Sequence, residues 1–166
     1  PNVIDSIDNS ILENNVYVTY KDQVIGDLKL DVYHYKWKYA LGPNDYEKDT
    51  ILPTKIDASQ LAAQVRWSKS LFGFSAEAEA YQSFKEEFAT TAFKGAIRRE
   101  LYKDISASAS YRYRSQPLNF NFHLFQSDFE EYNWSNANFI NQNTATKGLS
   151  LFHPKWGTVA ASWSTI

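Results

Sequence analysis

The chain has 166 residues, a formal net charge of -2 and 22% charged residues, so it is one domain by length and offers nucleic acid no electrostatic attraction. No run approaches the length of a transmembrane helix, which excludes a helical membrane protein; a barrel, whose strands are apolar only on alternate residues, fits a mean hydropathy of -0.49. The absence of cysteine excludes disulfides and thiolate metal sites, and a chain that opens on Pro1 and lacks methionine reads as a segment of something longer.

Residues 1–13 scatter Asp5, Asp8 and Glu13 among isoleucines without a clean period and read as an irregular lead-in. Val16, Val18 and Tyr20 then alternate with Tyr17, Thr19 and Lys21 as a first strand, with its turn near Gly26-Asp27. Leu28, Leu30 and Val32 begin one apolar phase, but Tyr33, Tyr35, Trp37 and Tyr39 continue in the opposite one. That slip predicts a β-bulge near Asp31 to Tyr33. With His34, Lys36 and Lys38 between its aromatics, the stretch suits an interfacial girdle or an edge strand better than a platform for stacking bases or sugars. Residues 41–54, with Gly42-Pro43-Asn44-Asp45 and Pro53, read as an exposed loop.

From Gln60 to Phe125 the period of two is almost unbroken, as a pleated strand between two different environments requires. The apolar rows are Leu61 to Trp67, Phe74 to Ala80, Phe93 to Ile97, Ile105 to Tyr113 and Leu118 to Leu124. A turn at Lys69 to Leu71 would pair Trp67 with Phe74, and one around Tyr102 to Asp104 would pair Leu101 with Ile105 and Ile97 with Ala109. Arg114 to Pro117 would place Tyr113 opposite Leu118, and the charged connection after Tyr81 would set Glu77 opposite Arg98. Beyond Trp134, residues 135–147 are rich in Asn, Gln and Thr and read as a second exposed loop. Gly148 to Phe152 and Trp156 to Ile166 supply the last two of about nine strands.

Alternation separates two faces without naming their surroundings. In one reading the apolar rows meet lipid and the polar rows line a lumen; in the other the apolar rows fill a soluble barrel or sandwich that binds an apolar ligand or a protein partner. Strands near the roughly 9 to 11 residues needed to span a bilayer, a polar face that mixes Arg and Glu with hydroxyls and amides, and apolar rows rich in alanine all favour lipid. The expected fold is therefore all-β, an antiparallel up-and-down transmembrane β-barrel or a wall segment of one, in a bacterial outer membrane.

The run Phe125-Gln126-Ser127-Asp128-Phe129-Glu130-Glu131-Tyr132-Asn133-Trp134, followed by an Asn-rich loop, resembles the putative porin family of Bacteroidota outer membranes. That resemblance implies a large barrel of which this chain carries a part. The expected function is a passive diffusion pore or membrane scaffold that is not an enzyme, takes no cofactor and meets outer-membrane lipid, with small polar solutes and other protein subunits as candidate partners.

Arg66, Glu77, Glu79, Lys94, Arg98, Glu100, Arg112, Arg114 and His123 are the expected lumen residues, either setting the field along a pore or bracing its wall with salt bridges. Trp67, Phe74, Phe93, Ile97, Tyr111, Tyr113, Phe120 and Phe122 are the expected lipid-facing or girdle residues. The Leu118–Leu124 register would set His123 opposite Ser108, the pairing a barrel hydrolase would use, but no third orienting residue accompanies them. The spacing of Glu77 and Glu79 is the strand's own period, His34 and His153 suggest no metal site, and Asn133-Trp134-Ser135 is a chance-level sequon.

Overall fold

From Gln60 to Tyr113, where the described residues alternate, the backbone is extended and each strand pairs with its neighbour in the chain. A computed structural model describes residues 7–41, 55–84, 89–102, 104–118, 124–125, 134–135 and 141–166. The strands are β1 (Ile7–Asp22), β2 (Gly26–Leu41), β3 (Lys55–Leu71), β4 (Phe74–Ser83), β5 (Thr91–Tyr102), β6 (Ile105–Gln116), β7 (Leu124–Phe125), β8 (Trp134–Ser135), β9 (Gln142–His153) and β10 (Gly157–Thr165). Eight of them form one up-and-down antiparallel sheet in the order β1-β2-β3-β4-β5-β6-β9-β10, which does not close; β7 and β8 pair separately.

Several expectations need correction. β1 begins at Ile7, inside the expected lead-in, and β9 begins at Gln142, inside the expected loop. Both stretches lack a clean period, but a long partner strand supplies backbone hydrogen bonds whatever the side chains are. There is no bulge near Asp31: the β1–β2 and β2–β3 registers run without interruption through Val16↔Val32 and Val32↔Ala63. The β3–β4 turn is Phe72-Gly73, so Phe74 faces Leu71 while Trp67 faces Ala78. Both turn residues have positive φ (50 and 76), the two-residue geometry that matches strand twist.

Ile97 does pair with Ala109, but Tyr102 rather than Leu101 meets Ile105, across a register shift between Glu100 and Tyr102. Glu77 faces Ala96, and Arg98 faces Ser75. The partner of β6 is β9, with Ala109 opposite Leu149, so the expected hairpin to Leu118–Leu124 does not form. The loop expected at 41–54 lies outside the described residues apart from Leu41, and so does most of the run behind the family resemblance.

The two ends of the sheet differ. At one end the connections are short: Gln23–Ile25, Phe72-Gly73, residues 103–104 and Pro154–Trp156. At the other they are residues 42–54, 84–90 and 117–141. Pairing of β3 with β4 stops at Ala62↔Ser83, whereas β2 and β3 stay paired to Ala40↔Lys55. The first three strands therefore project past the rest at the long-connection end.

At the short-turn end, Asp22 accepts hydrogen bonds from the backbone N–H groups of Val24 and Ile25, each at 2.7 Å. Trp67 donates to the Ile25 carbonyl at 2.8 Å and Lys69 to that of Val24, which ties this turn to β3. Gly26 has φ +97, and a Cβ there would lie 2.5 Å from the Ser68 carbonyl oxygen, so only glycine fits.

Candidate functional site

Residues directly opposite in an antiparallel pair share a face, and neighbours along a strand do not. Carried across the registers, this rule puts Val18, Leu30, Val65, Ala80, Phe93, Tyr113 and Ala145 on one face. Trp67, Phe74, Phe93, Ile97, Tyr111 and Tyr113 all lie on this apolar face; Phe120 and Phe122 lie outside the described residues. Outside the projecting part of the sheet, where this face is mainly apolar, three lysine and arginine side chains stand on it. The Arg99 guanidinium lies 4.5 Å over the Phe74 ring, Lys147 stands opposite Tyr111 and Trp163, and Lys69 reaches the β1–β2 turn.

Arg66, Glu77, Glu79, Lys94, Arg98, Glu100, Arg112 and Arg114 all fall on the other face, while His123 lies outside the described residues. Lys29, Arg66, Glu79, Lys94 and Arg112 follow one another as directly opposed partners, a charged row crossing five strands.

The polar face is organised around a residue the sequence reading did not select. Asp31, 1% exposed, takes Arg66 Nη2 at 2.8 Å and Lys29 Nζ at 2.9 Å, and Asn15 Nδ2 at 3.4 Å. Its signal was present in the sequence: a carboxylate at the site of the phase slip in β2, flanked by apolar residues. On the next strands Lys94 lies 3.5 Å from Glu77. An open recess of about 270 Å³ runs between these groups, lined by Lys21, Asp27, Lys29, Arg66, Glu77, Glu79 and Lys94 among others. Hydroxyls pair across the later strands, Ser108 with Ser150 at 2.7 Å and Thr146 with Ser164 at 2.8 Å. Ser108 thus meets a serine, and the His123 expected opposite it lies outside the described residues. His34 bonds Ser59 at 2.9 Å and His153 stacks on Trp156, and no group of three potential metal ligands occurs among the described residues.

Burial runs opposite to that of a water-soluble sheet. Every buried side chain of the eight-stranded sheet among the described residues (Asp31, Tyr39, Ala58, Gln60, Ala62, Ser83 and Ser106) belongs to the polar face. Large side chains of the apolar face stand open, including Val65 at 42%, Leu149 at 54% and Ile97 at 55%.

The phase slip in β2 has a physical origin other than a bulge. With alternation unbroken, Leu28, Leu30 and Val32 lie on the apolar face, and Tyr33, Tyr35, Trp37 and Tyr39 lie on the opposite one. Over the projecting part of the sheet the first of these faces carries His34, Lys36 and Lys38 and, on β3, Asp57 and Ser59. The aromatics of the polar face stack on one another, Tyr33 on Tyr35 at 5.7 Å and Tyr35 on Trp37 at 5.8 Å. Tyr39 is buried and donates to the carbonyl of Leu124, itself 1% exposed, so β7 rests against this part of the polar face. The strand keeps its geometry while the surroundings of its two faces exchange.

A family model described as "Putative porin" matches residues 1–166, the whole chain. No curated protein and no solved structure matches it.

Proposed function

Because the chain belongs to the putative porin family, whose membership carries a porin-type outer-membrane function at a coarse level, we propose that its sheet is a wall of a diffusion pore. The apolar face meets lipid, and the charged face lines a water-filled lumen. The supporting observation is the inverted burial: Ile97, Leu149 and Val65 are open while Asp31 on the other face is covered. A continuous exposed apolar surface of this kind belongs against a membrane or a partner.

The connections fit the same reading. Barrels of this class keep short turns on the periplasmic side and longer loops outside. The Phe72-Gly73 end is then periplasmic, and the end bearing residues 42–54 and 117–141 faces the exterior. The projecting parts of β1 to β3 stand above the outer leaflet, where the outward face turns polar at His34, Lys36 and Lys38. The polar face serves passage and bracing; it has no catalytic role.

The test is reconstitution of the porin in planar lipid bilayers. Discrete conductance steps are expected. A protein that stays monomeric and soluble without detergent, and leaves bilayers silent, would overturn the proposal.

A further inference from the structure

The charges of the polar face are unevenly shared between its two halves. On β1 to β4 Asp31 holds both Lys29 and Arg66, Glu77 holds Lys94 from β5, and Lys21 stands directly opposite Asp27. A bracing network is thus present in this half. In the other half, Arg112 and Arg114 on β6 are exposed and take part in no ion pair among the described residues. The strands beyond them present no carboxylate to this face. Arg112 stands opposite Thr146, which bonds Ser164 at 2.8 Å, and Arg114 stands opposite Thr144.

From this division we infer that the β6–β9–β10 part of the polar face is an oxyanion track, taking phosphate- or carboxylate-bearing solutes as they pass. The inference rests on the pore reading and adds to it a solute class. A guanidinium offers its N–H donors as a planar fork that matches the two oxygens of a carboxylate or phosphate. Hydroxyls at the cross-strand positions extend the donor surface without adding charge. A cationic lining selects for anions where no neighbouring acid cancels it, and transient binding is compatible with release because the groups are open to solvent.

The experiment uses the whole porin in planar bilayers under a KCl gradient, with inorganic phosphate then added as a competing anion. Arg112→Gln combined with Arg114→Gln is expected to move the reversal potential toward the K⁺ equilibrium value and to weaken the block of the KCl current by phosphate. Arg112→Lys with Arg114→Lys keeps the charge and removes the fork. It is expected to hold the native reversal potential while losing phosphate block, which separates recognition from misfolding. A conducting glutamine variant with native reversal potential and native phosphate block overturns the oxyanion track and leaves the pore standing. A native protein that never conducts removes both.

Discussion

Replacing Ile97 by arginine asks directly what lies against the apolar face. Ile97 is the seventh residue of the 12-residue β5, a strand about 40 Å long at roughly 3.3 Å per residue. Inclined by about 40°, as barrel strands are, it rises roughly 30 Å, which places Ile97 near mid-depth of a bilayer core. Its cross-strand neighbours are Ala76 and Ala109, too small to shield a guanidinium and unable to pair with it. Arginine at mid-depth on a lipid face costs about 2–4 kcal/mol. Ala96→Arg on the same strand points the other way, opposite Glu77 and Ser110, and should stay within about 0.5 kcal/mol of the native protein. Urea unfolding of the vesicle-reconstituted protein, followed by tryptophan fluorescence, measures both. Equal losses for the two variants, or a larger loss for Ala96→Arg, would refute the assignment of the faces.

Asp31→Asn leaves Lys29 and Arg66 without their shared anion; because those cations are 30% and 42% exposed, the cost should be about 1–2 kcal/mol, well under that of a fully buried pair. Unchanged urea unfolding would show that Asp31 does not anchor the polar face. At the β1–β2 turn, backbone N–H donors of Ile25 and Val24 hold the Asp22 carboxyl below its ordinary value, so the turn is secured above the usual carboxylate range and loosens as pH falls through that lowered value. Protection factors at Val24 and Ile25, taken relative to the intrinsic exchange rate at each pH, should fall on acidification in the native protein but not in Asp22→Asn, which accepts hydrogen bonds without titrating. Phe72, 89% exposed with φ 50, pays for a left-handed backbone with no packing in return; Phe72→Asn should raise stability by about 0.5–1 kcal/mol in the same unfolding assay, and a loss would mean that the ring is held by its surroundings.

The faces of the sheet were readable from residues alone because a period of two survives any even error in register. Trp67 opposite Phe74 and Trp67 opposite Ala78 differ by four residues and put the same side chains on the same side. For that reason Arg66, Glu79 and Arg112 share a face in either register, while which of them stand directly opposite one another depends on the exact register. The Phe72-Gly73 turn was passed over because phenylalanine is a poor residue for a left-handed position. The partner of β6 was beyond reach for a different reason: Leu118–Leu124 and Leu149–Leu151 offer it similar alternation, and pattern does not rank a near partner against a distant one. Asp31 was missed because a change of surroundings and an inserted residue leave the same mark on a sequence.

With the apolar face against lipid, as proposed, the exchange of faces along β2 also determines how deeply the protein can be immersed. Sinking it by one or two rungs would draw Lys36 and Lys38 into oil, and raising it by as much would lift Leu30 and Val32 into water. Each error is resisted by charge in one direction and by hydration in the other. A single strand thereby sets its own waterline.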